Sequence, residues 1–535
     1  MASMKKLPLG IQNFREIVEN DLVYIDKTEY IYNLISDAKY YFLSRPRRFG
    51  KSLLLDTIAE AFGGDRELFK GLWIYGSDYG FEKHPVIRLD MSKISNETPD
   101  VLKASLRNNL RIRIDDEGLN IPDGYPSDVF YQLIAGLHEK YDKRVVVLID
   151  EYDKPILDHL ADMNAADANR QILRGFYGIL KPMDPHLKFT MLTGVSKFGK
   201  TSVFSELNNL KDITMARDYS AICGIPVDGL ETHFGEHISR LADHEDFKGY
   251  GSVSEEILSW YDGYSWDGKT RVINPFSLLS FFGVKEFSNY WYASGTPKFL
   301  IDLIKGRQIG YTDLNNVKIT ELMLNSADLE RLEIEPLLFQ SGYLTVKEVI
   351  RGRGSPVYIC GIPNNEVREA FNLNIVAAMT ESGDVRTEQA RFVMLDALEN
   401  GNMPLMLDML RGLFASIPYQ LHVKLEAYYH SIFIAVMNVL GFNIMAEVSV
   451  SGGRVDAVLE FDDKVYVVEF KYVGCDPCAG SDEKRSLFNK ALDEGMRQIK
   501  DKGYHKRYIG SVKNIYLAAF AFLGRDEIDM SLEVI

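Results

Sequence analysis

The sequence predicts an α/β protein in three parts: a parallel sheet with crossover helices over 1–218, a mostly helical middle over 219–400, and a compact α/β domain over 401–535. Three observations carry that prediction. Short β-rich runs alternate with helical patterns up to about Asp218, the sign of strands joined by helices. Beyond it the β-rich runs thin out, apart from one hairpin pattern with a Gly-rich tip. From Leu421 onward the order returns to helix, strands, one long helix and a final strand.

Taken in order, the first part has strand candidates at Tyr40–Leu43, Val86–Leu89, Val145–Ile149 and Phe189–Leu192. In the middle, Asn274-Pro275 reads as an N-cap followed by Pro at the first helical position. Gly342-Tyr-Leu-Thr-Val-Lys, Arg351-Gly-Arg-Gly-Ser-Pro and Val357-Tyr-Ile-Cys form the hairpin pattern, and a helix starts near Asn365. Together they suggest a small winged-helix-like unit. The polar stretch Glu399-Asn-Gly-Asn-Met-Pro404 reads as a linker. The last part reads helix (Leu421–Leu440), strand, strand (Arg454–Phe461), turn at Asp462-Asp463, strand (Val465–Lys471), helix (Asp482–Lys502) and strand (Asn514–Phe522).

Composition narrows the function classes. The 535 residues exceed one domain, and 46% hydrophobic with 26% charged residues excludes wholesale disorder. A net charge of −15 excludes a protein that coats nucleic acid with its whole surface, so any such contact needs a local patch. Cys223, Cys360, Cys475 and Cys478 are too few for a disulfide scaffold and fit a reducing compartment. No run approaches the ~20 apolar residues that span a bilayer. Ser431 to Ala446 comes nearest and is interrupted by Asn438, Gly441 and Asn443. The start, Met-Ala-Ser-Met-Lys-Lys, lacks the apolar segment of a signal peptide. A cytoplasmic protein without a membrane partner is expected.

Tyr40-Tyr-Phe-Leu-Ser-Arg-Pro-Arg-Arg-Phe-Gly-Lys-Ser-Leu-Leu-Leu joins a strand to a helix, and its Gly50-Lys51-Ser52 end is that of a P-loop. Gly50 permits close backbone approach, Lys51 reaches the β/γ-phosphates, and the Ser52 hydroxyl ligates Mg²⁺ at a helix N-terminus. Arg45 stands where the first loop glycine belongs. Downstream, Val145-Val-Val-Leu-Ile-Asp150-Glu151 is a continuous apolar strand ending in two carboxylates, at the end of such a sheet where ligands bind. Asp150 is expected to hold the Mg²⁺ shell and Glu151 to polarise the attacking water. A third strand ends in Thr193, placed to sense a γ-phosphate. The expected nucleotide contacts are Arg47, Arg48, Phe49, Gly50, Lys51, Ser52, Leu53, Asp150 and Thr193. Two readings stay open for Arg45, Arg47 and Arg48: phosphate binding, or one arginine acting across the interface of a homo-oligomer.

In the last part, Gly453-Arg454-Val455-Asp456 is followed after a turn by Val465-Tyr-Val-Val-Glu469-Phe470-Lys471. With a period of two, Glu469 and Lys471 share one strand face. Two carboxylates and a lysine at one point suit phosphodiester hydrolysis: Asp456, Glu469 and the Phe470 carbonyl bind a hard cation, and Lys471 positions water or neutralises the transition state. Glu426 on the preceding helix and Gln498 on the following one complete the expected set. Removing Asp456 is expected to relieve charge repulsion and slightly stabilise the metal-free chain. Arg497, Lys500, Lys502, Lys506 and Arg507, with Tyr504 among them, form a local basic patch suited to a nucleic-acid backbone. The plain alternatives are an edge strand with a surface ion pair and a solvated helix end.

Two further signals are set aside. His233-Phe-Gly-Glu-His237 matches an inverted zinc-protease pattern, but it lacks a third ligand and Gly235 weakens the helix it needs. Cys475-Asp-Pro-Cys478 has metal-knuckle spacing without a second pair, and reads as a loop.

With both sets of residues in hand, the chain resembles a bacterial family that joins an AAA-ATPase-like domain to a C-terminal PD-(D/E)XK-type nuclease domain. Matching segments are Tyr24-Ile-Asp-Lys-Thr, Ser44-Arg-Pro-Arg-Arg-Phe-Gly-Lys-Ser, Leu148-Ile-Asp-Glu-Tyr, Thr193-Gly-Val-Ser-Lys-Phe, Asn274-Pro-Phe-Ser, Phe339-Gln-Ser-Gly-Tyr-Leu-Thr, Gly453-Arg-Val-Asp and Glu469-Phe-Lys. The resemblance implies ATP as nucleotide and Mg²⁺ at both sites. The expected function is ATP-gated or ATP-driven cleavage of nucleic acid, DNA ahead of RNA. The alternative is a nucleotide-controlled switch whose last domain docks a partner without cutting it.

Overall fold

The structure is a computed structural model that describes residues 4–160, 162–197, 207, 209–291, 314, 316–324, 334–352, 354–380, 392–394, 396–397, 400–415, 430, 432–434, 436–437, 443–450, 453–461, 464–474, 480–510, 514–523 and 527–535. It divides into two compact units, Met1–Gly295 with Asn316–Glu366, and Thr296–Asn315 with Val367–Ile535.

The first unit is built on a parallel sheet of five strands, β1 (Tyr40–Ser44), β2 (Val86–Asp90), β3 (Val145–Asp150), β4 (Leu187–Gly194) and β5 (Lys211–Asp212), in the order β2-β3-β4-β1-β5. All residues of β1 and β3 are buried, which is why both read as unbroken apolar runs. Helices α1 (Pro99–Asp116), α2 (Pro126–Tyr141) and α3 (Met163–Gly178) supply one side of the core. Leu102, Leu106, Leu110 and Ile114 recur at helical spacing along α1, and Phe130 of α2 stacks on Phe176 of α3 at 4.8 Å. Burying each such side chain contributes roughly 1.5–3 kcal/mol. The register pairs Asp90 with Asp150 and Ser44 with Gly194, so the carboxyl ends of four strands line one edge.

Three helices follow, α4 (Val227–Ala242), α5 (Val253–Tyr261) and α6 (Pro275–Val284), around their own aromatic core, where Phe234 stacks on Phe282 at 5.4 Å. Asn274 caps α6 by accepting from the Phe276 and Ser277 N–H groups at 2.9 and 3.2 Å. The His233–His237 pattern lies on α4, and among the described residues no three His, Cys, Asp or Glu side chains gather as a metal site. The hairpin is present as β7 (Thr345–Ile350) and β8 (Val357–Gly361), with β6 (Val317–Thr320) on the far side of β8 and a helix starting at Asn365. Cys223 and Cys360 are buried free thiols, and Cys475 and Cys478 lie outside the described residues.

In the second unit, β9 (Asn443–Val450), β10 (Gly453–Phe461) and β11 (Lys464–Val473) form an antiparallel meander. Helix α7 (Ser481–Asp501) then crosses over to β12 (Asn514–Leu523), parallel to β11, and β13 (Glu527–Val534) closes the sheet antiparallel to β12. Leu492, Met496 and Ile499 of α7 pack on Val465, Val467, Leu517 and Ala519. Close approach is possible because α7 presents Gly495, where an added Cβ would lie 3.0 Å from the Ala519 Cβ. Met403 and Pro404, read as linker, open a helix (Met403–Ala415). Among the described residues no helix is long and apolar enough to cross a membrane.

Candidate functional sites

Strand β1 runs into a loop that ends at Gly50, the N-cap of the helix Lys51–Gly63. Gly50 has φ +91° and open space around its α-carbon, a conformation that disfavours any side chain. The Lys51 ammonium is buried and donates to the Arg45 and Pro46 carbonyls at 2.9 and 3.0 Å, which holds the loop curled around it. Ser52 and Thr193 converge on one carboxylate: the Ser52 hydroxyl donates to Asp150 Oδ2 and the Thr193 hydroxyl to Asp150 Oδ1, both at 2.5 Å. Strand order explains the convergence, since β4 lies between the loop-bearing β1 and the carboxylate-bearing β3. Hydroxyl and carboxylate oxygens are the donor set of a hard cation, so Ser52 and Asp150 fit Mg²⁺.

Glu151 follows with φ +50°, an uncommon backbone for a residue with a side chain and a cost the surrounding fold sustains. Burial raises its carboxyl above the usual range, while Lys51 and Arg47 pull it back. It lines a cavity of about 350 Å³ together with Arg47, Arg48, Gly50, Lys51, Ser52 and Leu53. A second, apolar cavity shares Pro8, Gly50, Leu53, Pro275 and Leu279 with the first and continues to Ile25, Cys223 and Ile225. One end is cationic and the other apolar, a match to a ligand with phosphates at one end and a flat ring at the other.

The arginines separate. Arg45 is fully buried and points away from the loop's mouth, donating to the Ser44, Thr214 and Tyr219 carbonyls at 2.9, 2.8 and 3.1 Å with its guanidinium 3.9 Å over the Trp266 ring. It holds the loop from behind. Arg48 is exposed, with φ +70° and its guanidinium 4.5 Å over Phe276. Arg47 is half-buried at the cavity wall. The Phe49 ring is buried edge-on against Tyr264 and Trp266, at 4.7 and 5.6 Å.

Sequence reasoning passed over Asp153. Its buried carboxylate accepts from the Val195 and Ser196 N–H groups at 3.1 and 2.6 Å and from the Ser196 hydroxyl at 2.6 Å, tying the loop after β3 to the end of β4. A Cβ at Gly194 would lie 2.5 Å from the Tyr152 ring, so only glycine fits between them. Periodicity could not reveal this link, because the partners lie about forty residues apart.

In the second unit the β10–β11 ladder ends at the pair Ala457–Val468. The next residue, Asp456, turns its carboxylate to accept from the Phe470 N–H at 2.8 Å, replacing the ladder carbonyl that would have stood there. Its own carbonyl is 3.0 Å from His430 Nε2. Glu469 is 1% exposed; one carboxylate oxygen accepts from Lys471 at 3.3 Å and from Gln498 Nε2, and the other, Oε2, is buried with no partner among the described residues. Gln498 Oε1 in turn accepts from Lys471 at 2.9 Å, so strand and helix close a ring of three side chains. The Phe470 ring packs on Phe433 at 4.9 Å on the other face. Glu469 is pushed up to about 7, by burial first and the Asp456 charge next, against the pull of Lys471 and Lys502. Lys502 stands one turn beyond Gln498 and 5.7 Å from the Tyr504 ring. Arg497, Lys500, Lys502, Lys506 and Arg507 are exposed, while Tyr504 is buried. Glu426 lies outside the described residues.

A buried carboxylate oxygen without a donor is costly and asks for a cation. Asp456 and Glu469, oxygen ligands both, fit Mg²⁺.

A family model described as Predicted AAA-ATPase matches residues 8–204, and one described as PD-(D/E)XK nuclease superfamily matches residues 424–530. A protein of Azotobacter chroococcum mcd 1, described as "Uncharacterized protein in vnfD 5'region", is similar to this chain at 36% identity over 527 residues, 97% of each chain. The P-loop cluster falls within the first match and the Asp456–Glu469–Lys471 cluster within the second; the chain belongs to the family that joins a predicted AAA-ATPase domain to a C-terminal PD-(D/E)XK nuclease superfamily domain.

Proposed function

We propose that this protein binds and hydrolyses ATP at the Lys51–Asp150 site and cuts phosphodiester bonds of nucleic acid at the Asp456–Glu469 site, with the ATP state gating or driving the cut. The organisation proposed is a P-loop domain over 1–218, a helical lid with a winged-helix-like unit over 219–400 and a nuclease domain over 401–535, acting on DNA ahead of RNA in the cytoplasm. The observation that carries the cleavage reading is the buried Glu469 Oε2, without a partner among the described residues, beside Asp456 and Lys471.

At the first site Lys51 and Arg47 neutralise phosphate charge, Ser52 and Asp150 would hold Mg²⁺, and Glu151 orients water toward the terminal phosphate. At the second, Lys471 is held by Glu469 and Gln498 where it can neutralise charge developing on the phosphate oxygens. Mg²⁺ held by Asp456, Glu469 and the Phe470 carbonyl would supply Lewis acidity and an acidified water. The exposed lysines and arginines around Lys502 give the backbone a cationic track.

The test is incubation of the full chain with labelled single- and double-stranded DNA and RNA, with and without Mg²⁺ and ATP. Mg²⁺-dependent cutting that changes with ATP is expected. No cutting of any of the four under any nucleotide state would leave the docking-switch reading in its place.

A pH dependence follows from Glu469. Its folded pKa of about 7 lies above the ordinary 4.5, so between these values the folded chain holds a proton that the unfolded chain has released. The stability it contributes is complete below about 4.5 and is lost as pH rises through about 7. In Mg²⁺-free urea unfolding, wild type is expected to lose stability relative to Glu469→Gln across that window. A difference independent of pH would place the carboxyl at its ordinary value.

A further inference from the structure

The segment Tyr24-Ile-Asp-Lys-Thr28 has no part in the chemistry above, yet it is built with care. Asp26 accepts from the Thr28 N–H at 2.8 Å, the Thr28 hydroxyl at 2.7 Å and the Trp73 N–H at 2.7 Å, which fixes the turn opening the helix Thr28–Asp37. Lys27 is thereby turned inward, its ammonium donating to the Ala221 carbonyl at 2.6 Å on the wall of the apolar cavity beside Gly50. Among the described residues that carbonyl is the one hydrogen-bond acceptor this three-donor group meets.

The half-buried Lys27 ammonium lies 5.8 Å from the Tyr30 ring and spends one donor on Ala221, which leaves donors for an acceptor in the cavity. The cavity's faces, Leu53, Ile225 and Leu279 among them, suit the faces of a flat ring, and a single directed donor suits its edge. We propose that Lys27 is a specificity-determining residue that donates a hydrogen bond to a ring-nitrogen acceptor of the purine whose phosphates occupy the Gly50–Ser52 loop. Burial lowers this amine to about 8, against the pull of the Asp228 and Asp26 carboxylates, so it remains a protonated donor at neutral pH. The inference rests on the nucleotide reading of the loop and adds how the base is told from other rings.

Calorimetric titration of the full chain with ATP, inorganic tripolyphosphate and 1-, 3- and 7-deaza-ATP tests it. One deaza analogue, lacking the acceptor that Lys27 reads, is expected to bind wild type about tenfold more weakly than ATP, the loss for one charge-assisted hydrogen bond. Lys27→Met is expected to bind ATP and that analogue equally, while tripolyphosphate affinity stays unchanged. A lysine that only tethers Ala221 would leave the variant's preference for ATP over the analogue intact, which overturns the proposal. Equal wild-type affinity for ATP and all three analogues also overturns it, whether or not the variant folds. If wild type binds neither ATP nor tripolyphosphate, the loop's nucleotide reading falls and the inference with it.

Discussion

Asp456→Ala is expected to abolish Mg²⁺-dependent cutting of nucleic acid while ATP turnover persists. The loss should exceed the roughly 10–100-fold that follows removal of an outer-shell partner of a metal ligand, because here the proposed ligand itself is removed. Gel assay of labelled DNA checks cutting, and phosphate release checks the ATPase in the same preparation. Cutting within tenfold of wild type would take Asp456 out of the site. Stability should move against the expectation from charge alone. Repulsion with Glu469 is relieved, but the Phe470 N–H loses its acceptor, and an orphaned buried donor costs roughly 1–3 kcal/mol. Asp456→Asn keeps an acceptor oxygen, so it is expected to melt above Asp456→Ala and to be equally inactive. Equal melting of the two would mean that the bond to Phe470 contributes nothing.

Glu151→Gln is expected to retain ATP affinity and lose ATP turnover by about 10²–10⁴-fold, the usual contribution of a positioned general base. The substitution is close to neutral for the backbone, since Glu and Gln bear the same cost at φ +50°. What changes is the charge proposed to orient water beside Lys51. Lys51→Ala, by contrast, removes both the charge proposed to face the phosphates and the brace on the Arg45 and Pro46 carbonyls, and is expected to weaken binding itself. Calorimetry for affinity and single-turnover phosphate release for chemistry separate the two variants. Turnover within tenfold of wild type in Glu151→Gln would remove its role with water, leaving the loop's role in binding untouched.

Much of each site was legible because its determinants are local. A strand buried on both faces is written as a continuous apolar run, so the position of Asp150 at its end follows from Val145–Ile149 alone. Period-two alternation puts Glu469 and Lys471 on one face whatever the strand pairs with. The edge strand Glu527–Val534 was less legible, being half polar and for the most part only partly buried.

The fate of Arg45 was not legible. Three arginines in one loop read alike, and the carbonyls at Thr214 and Tyr219 that bury one of them stand 169 and 174 residues away. Asp153, in the same acidic run as Asp150 and Glu151, is set apart by its ties to Val195 and Ser196.

The sequence by itself determined the classes of element, the strand–loop–helix that presents Lys51 and Ser52, the carboxylate at the end of β3 and those within β10 and β11. Local periodicity and glycine's access to positive φ suffice for these. Tertiary structure alone decided the rest: β4 set beside β1 so that Thr193 meets Asp150, Gly495 admitting α7 close enough for Gln498 to reach Glu469, and Lys27 turned into the cavity beside Gly50. The physical reason is that hydration is lost, and hydrogen-bond partners are found, between segments far apart in the chain, and no local pattern encodes which distant carbonyl or carboxylate will be there.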